Sequence, residues 1–358
     1  MRRAEWYPLR LTTPVRPHVF GGRVIPDWLG KPGLPEGRVA ETWEVSDEEG
    51  APDTIATVTA GPLAGRTLRE LQQEHPDELV GRGWRGPRFP VMTKFIDGNG
   101  MLPVHLHADD RTARAKEGEP NGKTEAWHIL EAGPGATALI GLKPGVDKDT
   151  LCEALVAQEW DRVMRRVPVR AGETVYVPGG TLHSFGPRTL IYEVEQTSNI
   201  QQHAMPWNME DGSPVPPGER EENIDALLEE LRPDPRPNFQ PGLRVPVEGD
   251  LERVILCAGP YFALERWRVV GGAAGCYAFD HATILSNVGL PVTVRAGSWA
   301  DRLGRGETLL LPAALGEVTL TGPADVLLSY LPDLERDIRA PLAAAGYGPE
   351  IIAGLGEV

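Results

Sequence analysis

Between residues 88 and 200 the chain runs through short apolar stretches separated by Gly, Pro and Asp: FPVMTKFI, EAWHILEA, ATALIGL, RVPVRAGETVYVP and TLIYEVEQTS. Short β-branched and aromatic runs bounded by turn residues predict strands. The pattern returns over 245–332 in LERVILCAG, YFALERWRVVG, ATILSNVG, PVTVRAG, ETLLLPAALGEVTLTG and ADVLLSYL. Two stretches break it. DKDTLCEALVAQEWDRVMRR (147–166) has helical periodicity and an Asp as N-cap, and REENIDALLEELRPDPRP (220–237) predicts a helix ended by Pro233. Residues 1–60 read as short strands and turns, of which ETWEVSD (41–47) is the clearest strand. In RTLRELQQEHPDELVGRG, Thr67 and Glu70 have capping-box spacing, and His75, just before Pro76, reads as a surface residue of that helix.

The phrases AGETVYVPGGTLHSF (171–185) and RGETLLLPAALGEVTL (305–320) share one plan: Gly-Glu-Thr, an apolar strand, a Pro, a small-residue turn, a second strand. A repeated plan of this kind predicts two related β-barrels in a mainly β chain with a small helical element. The Pro-rich stretch after residue 232 is the best boundary, giving units 1–235 and 236–358. Only the first copy carries a histidine after its turn, His183. Any metal site therefore belongs to the first unit.

Composition sharpens this in three respects. Among 358 residues, 41 Gly and 34 Pro favour many turns over a helical bundle. With 36 basic and 51 acidic side chains the net charge is −15, which argues against general nucleic-acid binding. Cys152, Cys257 and Cys276 form neither a CxxC pair nor a disulfide framework, as suits a reducing compartment. The N-terminal stretch MRRAEWYPLRLTTPVRP lacks an apolar leader segment, and no run approaches a membrane span, so a cytoplasmic protein is expected.

The chemistry concentrates around MLPVHLHADD (101–110). On a strand, His105 and His107 project to one face. They read either as two ligands of one ion or as polar residues of a solvated strand. Glu125 in GKTEAWHIL and His183 in PGGTLHSF lie at distances along the chain that let separate strands converge inside a small barrel. Imidazole and carboxylate donors suit Zn²⁺, Fe²⁺, Mn²⁺, Ni²⁺ or Co²⁺ without choosing among them. His128, three residues after Glu125, faces the other side; His18 and His281 have no clustered partners and read as structural.

In order along the chain, PVRPHVFGG, ETWEVSDEEG, GPLAGRTLRELQQEHPDEL, RFPVMTKFIDGNGMLPVHLHADD, NGKTEAWHIL, AGETVYVPGGTLHSFG, LIYEVEQTSN and LLLPAALGEVTLTG resemble class I mannose-6-phosphate isomerases of the shorter bacterial kind, in the cupin superfamily. The resemblance implies two cupin-like (jelly-roll) barrels, the second without metal ligands, and an aldose–ketose isomerase acting on a small sugar or sugar phosphate. It implies one divalent ion, usually zinc, on a QxH pair, a Glu and a later His. These positions are His105, in place of the Gln, then His107, Glu125 and His183. It also implicates a Lys before the Glu ligand and a Glu after the last His, here Lys123 and Glu193.

Three positions depart from the family pattern. Pro103 replaces a Ser, His203 in QQHAMPW replaces an active-site Arg, and a later basic residue becomes Met209 or Glu210. Arg presents a charged fork for phosphate that neither Pro nor neutral His reproduces. Weakened phosphate recognition and a preference for a free or altered sugar are therefore expected, with Arg38, Arg111, Arg114 or Lys116 as possible compensation. His203, with an unperturbed pKa near 6.5, is a candidate acid or base. Two other readings stand beside the isomerase: another metal-dependent cupin enzyme, such as an oxygenase or epimerase, and a non-catalytic sugar-binding cupin. The sequence leaves the oligomeric state undetermined.

Overall fold

The computed structural model describes the whole chain except residues 1–5, 51–52, 234, 236, 248 and 271–273. The first residues of the N-terminal stretch and part of the Pro-rich boundary thus lie outside the described residues. Among the described residues, no helix is long and apolar enough to cross a membrane.

Four antiparallel sheets form two face-to-face pairs. A six-stranded sheet carries Val15–Arg16, Glu41–Val45, Val91–Gly98, Thr189–Gln196, Glu125–Ala132 and Thr174–Val177, in that spatial order. Opposite it is a five-stranded sheet ordered Gln202–His203, His105–Leu106, His183–Phe185, Thr137–Leu142 and Met164–Pro168. Ile96, Trp127, Ile129, Ile140, Val175, Phe185 and Ile191 fill the space between them. The second pair repeats the plan. Its six strands run Leu243–Val245, Leu251–Ala258, Ala263–Val269, Ala324–Tyr330, Thr283–Asn287 and Thr308–Leu311, opposite four drawn from residues 274–321. The Gly-Glu-Thr repeat maps onto equivalent places: in each copy its first strand joins the six-stranded sheet and its second strand the opposite sheet. The mainly β, cupin-like architecture is as the sequence implies.

The two six-stranded sheets also pack against each other. Phe95, Tyr192, Val194, Phe262, Leu264, Ile284 and Leu327 share one buried cluster. Strands covered on both faces lose the in–out alternation of a half-exposed sheet. Thr189–Gln196 is accordingly buried at every position, so Glu193 and Glu195 do not lie on a solvated face.

The helices differ from expectation in extent. The predicted 147–166 helix is two pieces, Lys148–Ala157 and Trp160–Val163, broken where Gln158 turns left-handed at φ 59°. Residues 220–237 give Pro217–Glu230, starting earlier because proline suits a first helical turn and ending before Pro233 because the residue preceding a proline avoids helical geometry. Leu151, Leu155, Ile224 and Leu227 pack against Leu106, Met164 and Leu182 on the outer side of the five-stranded sheet. The Thr67–Glu70 capping box forms as expected, but Leu68–Glu74 ends before His75, which separates it from Pro76–Leu79.

Candidate metal centre

His105 and His183 are paired across adjacent strands, so their side chains meet directly. His107 follows immediately beyond the strand, and Gly180 N–H donates to its carbonyl at 2.6 Å. That approach needs glycine: a Cβ on Gly179 would lie 2.8 Å from Asp109 Cα, and one on Gly122 would lie 2.5 Å from the Asp109 carbonyl carbon. Glu125 begins the neighbouring strand of the six-stranded sheet and faces the imidazoles from the other side.

The three imidazoles share one orientation. His105 Nδ1 lies 2.8 Å from Pro103 O, His183 Nδ1 2.8 Å from Thr181 O, and His107 Nδ1 2.6 Å from Ile200 O. A carbonyl only accepts, so each Nδ1 carries the proton and each neutral ring presents its Nε2 lone pair. Those lone pairs converge. His105 Nε2 and His183 Nε2 are 3.0 Å apart, His183 Nε2 is 3.1 Å from Glu125 Oε1, and His107 Nε2 is 3.1 Å from Glu125 Oε2.

Lone pairs and a carboxylate this close repel unless a cation lies between them. Donors about 2.0–2.1 Å from a tetrahedral ion are themselves roughly 3.3 Å apart, close to these separations. The residues fit a divalent metal. The protonation states agree: burial and the neighbouring imidazoles hold His105 well below the usual histidine range, and burial and the Lys123 ammonium push His107 down to about 4. Burial opposes ionisation of Glu125, yet the Lys123 ammonium holds its carboxyl well below the usual range. Trp127 Nε1 donates to Glu125 Oε1 at 2.8 Å and Lys123 Nζ to Oε2 at 2.6 Å, which fixes the carboxylate plane.

A cavity of about 300 Å³ opens beside these donors. Lys123 lines it, 5% exposed, with Nζ 2.9 Å from Glu195 and 2.9 Å from His107 Nε2. Burial opposes its charge, but Glu125 and Glu195 raise the Lys123 pKa well above the ordinary lysine value. Lys94 Nζ lies 3.0 Å from Glu195 and 3.6 Å from Glu193. Glu193 also lines the cavity, its Oε2 has no hydrogen-bond partner, and burial with the charges of Glu195 and Glu125 raises its pKa well above the usual range.

His203 stands elsewhere. It is paired in register with His105 but is not among the cavity-lining side chains, and burial lowers its pKa. His128 faces away from the cavity, bonded to Thr174 Oγ1 at 2.8 Å and Arg266 at 3.0 Å. Sequence reasoning missed Arg16, His18 and Trp43, all of which line the cavity. His18, read from the sequence as structural, lies on the cavity wall, and the period-two run Arg16, His18, Phe20 was the available signal. Arg38, Arg111, Arg114 and Lys116 are not among the cavity-lining residues.

No protein-family model matches the chain. It is 28% identical over 325 residues to a mannose-6-phosphate isomerase of Streptococcus mutans, covering 90% of this chain and 98% of that one. A mannose-6-phosphate isomerase of Bacillus subtilis is 28% identical over 327 residues, covering 90% and 99%. The solved mannose 6-phosphate isomerase of Bacillus subtilis shares 25% identity and matches with a TM-score of 0.81 over 91% of this chain and all of that one. The apo form from Salmonella typhimurium, at 15% identity and a TM-score of 0.70, shares the fold. Along nine-tenths of its length, and through both barrels, the chain is similar to mannose-6-phosphate isomerases.

Proposed function

We propose that the chain is a metal-dependent isomerase that interconverts an aldose and a ketose of the mannose/fructose type, with a sugar phosphate as substrate. One observation carries the reading: three Nε2 lone pairs and one carboxylate converge beside a cavity that also holds a buried cationic lysine and a carboxyl of raised proton affinity. His105, His107, Glu125 and His183 would hold the ion, and zinc suits three imidazoles and one carboxylate. When bound, it supplies Lewis-acid polarisation of the sugar's carbonyl and adjacent hydroxyl oxygens.

The chain's own groups do the rest. Glu193 takes the proton from C2 and returns it to C1 on the same face of a cis-enediol, while the hydroxyl proton of O2 passes to O1. Its raised proton affinity makes the ionised form a stronger base than a solvated glutamate. Lys123 stays charged and stabilises the developing enediolate oxygen without taking up the proton itself. Its Nζ is held by Glu125 and Glu195 and needs no reorganisation. We assign His203 to positioning, since it lies in register beside His105 and off the cavity wall.

The preference for an unphosphorylated sugar expected from Pro103, His203 and the lost basic residue at Met209 or Glu210 rests on those three positions alone. The relatives' names carry no sign of it, and the cavity wall supplies another cation, Arg16. Assay of mannose 6-phosphate with and without a chelator tests the proposal. Activity is expected to vanish with the metal and to return on zinc addition. Glu193→Gln should lower kcat by about 10²–10⁴ with KM little changed, the usual contribution of a positioned acid or base. Turnover that survives complete metal removal, or a Glu193→Gln enzyme at full kcat, would overturn it. The oxygenase, epimerase and sugar-binding alternatives gain no observation of their own.

A further inference from the structure

The lysines of the cavity are already committed to carboxylates: Lys123 to Glu125 and Glu195, Lys94 to Glu195, with Glu193 and Glu41 nearby. Arg16 is different. It lines the cavity, and among the described residues it forms no ion pair. The only hydrogen bond of its side chain among them is a long one from NH1 to Val15 O at 3.4 Å, and NH2 is buried with no partner. Burying a guanidinium edge without an acceptor is costly, and such an edge is unusual unless a ligand completes it.

Its surroundings hold it ready. The guanidinium stacks over the Trp43 indole, 4.6 Å from the ring centroid, which leaves its N–H edge free. Trp43 is fixed in turn by its Nε1 donating to Glu41 Oε2 at 2.8 Å. Two residues on, His18 faces the same cavity, 6% exposed, with an Nδ1 that also lacks a partner. Val19 N–H then donates to Met209 O at 2.8 Å, seating the turn that follows this strand against the 209–210 segment. That segment is where the family's later basic residue is replaced by Met209 or Glu210. Arg16 thus approaches the pocket on the side where the family pattern has lost its cation.

We propose that Arg16, seconded by His18, is the anion anchor of this pocket and binds the phosphoryl group of a sugar phosphate. The assignment rests on the isomerase reading for its substrate, but the anion site stands on the unpartnered guanidinium. A planar fork takes two phosphoryl oxygens at once, which an ammonium does not. Glu210 lines the same cavity, so the phosphoryl group must lie on the Trp43 side of it.

The test uses the zinc-loaded full chain as wild type, Arg16→Met and Arg16→Lys. For mannose 6-phosphate, Arg16→Met should raise KM by about 10–100-fold with kcat changed far less, because a charge-assisted bidentate pair disappears from ground and transition state alike. Arg16→Lys should fall between the two. Turnover of free mannose should not move. Unchanged KM in both variants, or an equal loss on mannose and its phosphate, overturns the assignment. Inorganic phosphate binding by calorimetry separates the two proposals. If wild type turns over no sugar, the isomerase reading fails, yet phosphate binding that Arg16→Met abolishes still supports the anion anchor. No phosphate binding by wild type in that case overturns the anchor as well. Should Arg16→Met fail to fold, the Arg16→Lys comparison decides alone.

Discussion

Trp127 donates its indole N–H to the carboxylate two residues before it, and the same step recurs at Trp43 with Glu41 and at Trp267 with Glu265, each at 2.7–2.8 Å. Residues i and i+2 of a strand share a face, so Glu-x-Trp is a local device for fixing a buried carboxylate. At Glu125 the fixed group is a candidate metal ligand, and a partner that orients a ligand is commonly worth 10–100-fold in affinity. Trp127→Phe should therefore weaken zinc binding by about that factor, measured by chelator competition, while the fold is retained. An unchanged affinity would show that Lys123 alone orients the carboxylate. The four donors were legible because each sits in a short motif of its own type. The opposite wall was less so: the period-two run Arg16, His18, Phe20 puts these side chains on one face, but which face meets the cavity depends on the long-range pairing of Arg16 with Glu41. The roles proposed for Lys123 and Glu193 come from the resemblance, since a lysine in a turn and alternating glutamates look the same when solvated.

The helix Pro217–Glu230 illustrates what an element adds beyond its own residues. Its last residue, Glu230, is buried beside Glu117, and Gln202 Nε2 lies 3.2 Å from Glu117 Oε1 and 3.3 Å from Glu230 Oε1. Burial and the adjoining Glu117 carboxyl push the Glu230 pKa up to about 8. The folded chain thus keeps a proton that the unfolded chain, with a glutamate near its ordinary value of about 4.3, releases. Stabilisation from this group is complete below that value and is lost as pH rises through about 8. The melting temperature should fall between pH 5.5 and 8.5, and Glu230→Gln, which keeps a hydrogen-bonding amide without the charge, should flatten that dependence. Equal pH slopes in both proteins would count against a shared proton. Periodicity predicted this helix, but not the carboxyl pair, because Glu117 ends a different, short helix, Ala113–Glu117, more than a hundred residues earlier.

At the scale of the molecule, the two barrels are joined through the backs of their six-stranded sheets, and this explains why the strand reading was strong while the facing was ambiguous. Tyr192 in the first unit reaches Ser329 and Ser286 in the second, at 3.2 and 3.1 Å, within the apolar cluster that holds Phe95, Phe262 and Leu264. The second barrel therefore acts as a buttress for the sheet that carries Lys94, Glu125, Glu193 and Glu195. Phe262 lies in the second unit, fully buried, with its ring 5.4 Å from that of Tyr176 in the first. Phe262→Ala should cost about 3–5 kcal/mol, the usual range for emptying a buried aromatic site. If the sheets stand or fall together, hydrogen exchange should accelerate alike in Glu125–Ala132 of the first barrel and Thr283–Asn287 of the second. Acceleration confined to the second barrel would show that the first keeps its site without the buttress.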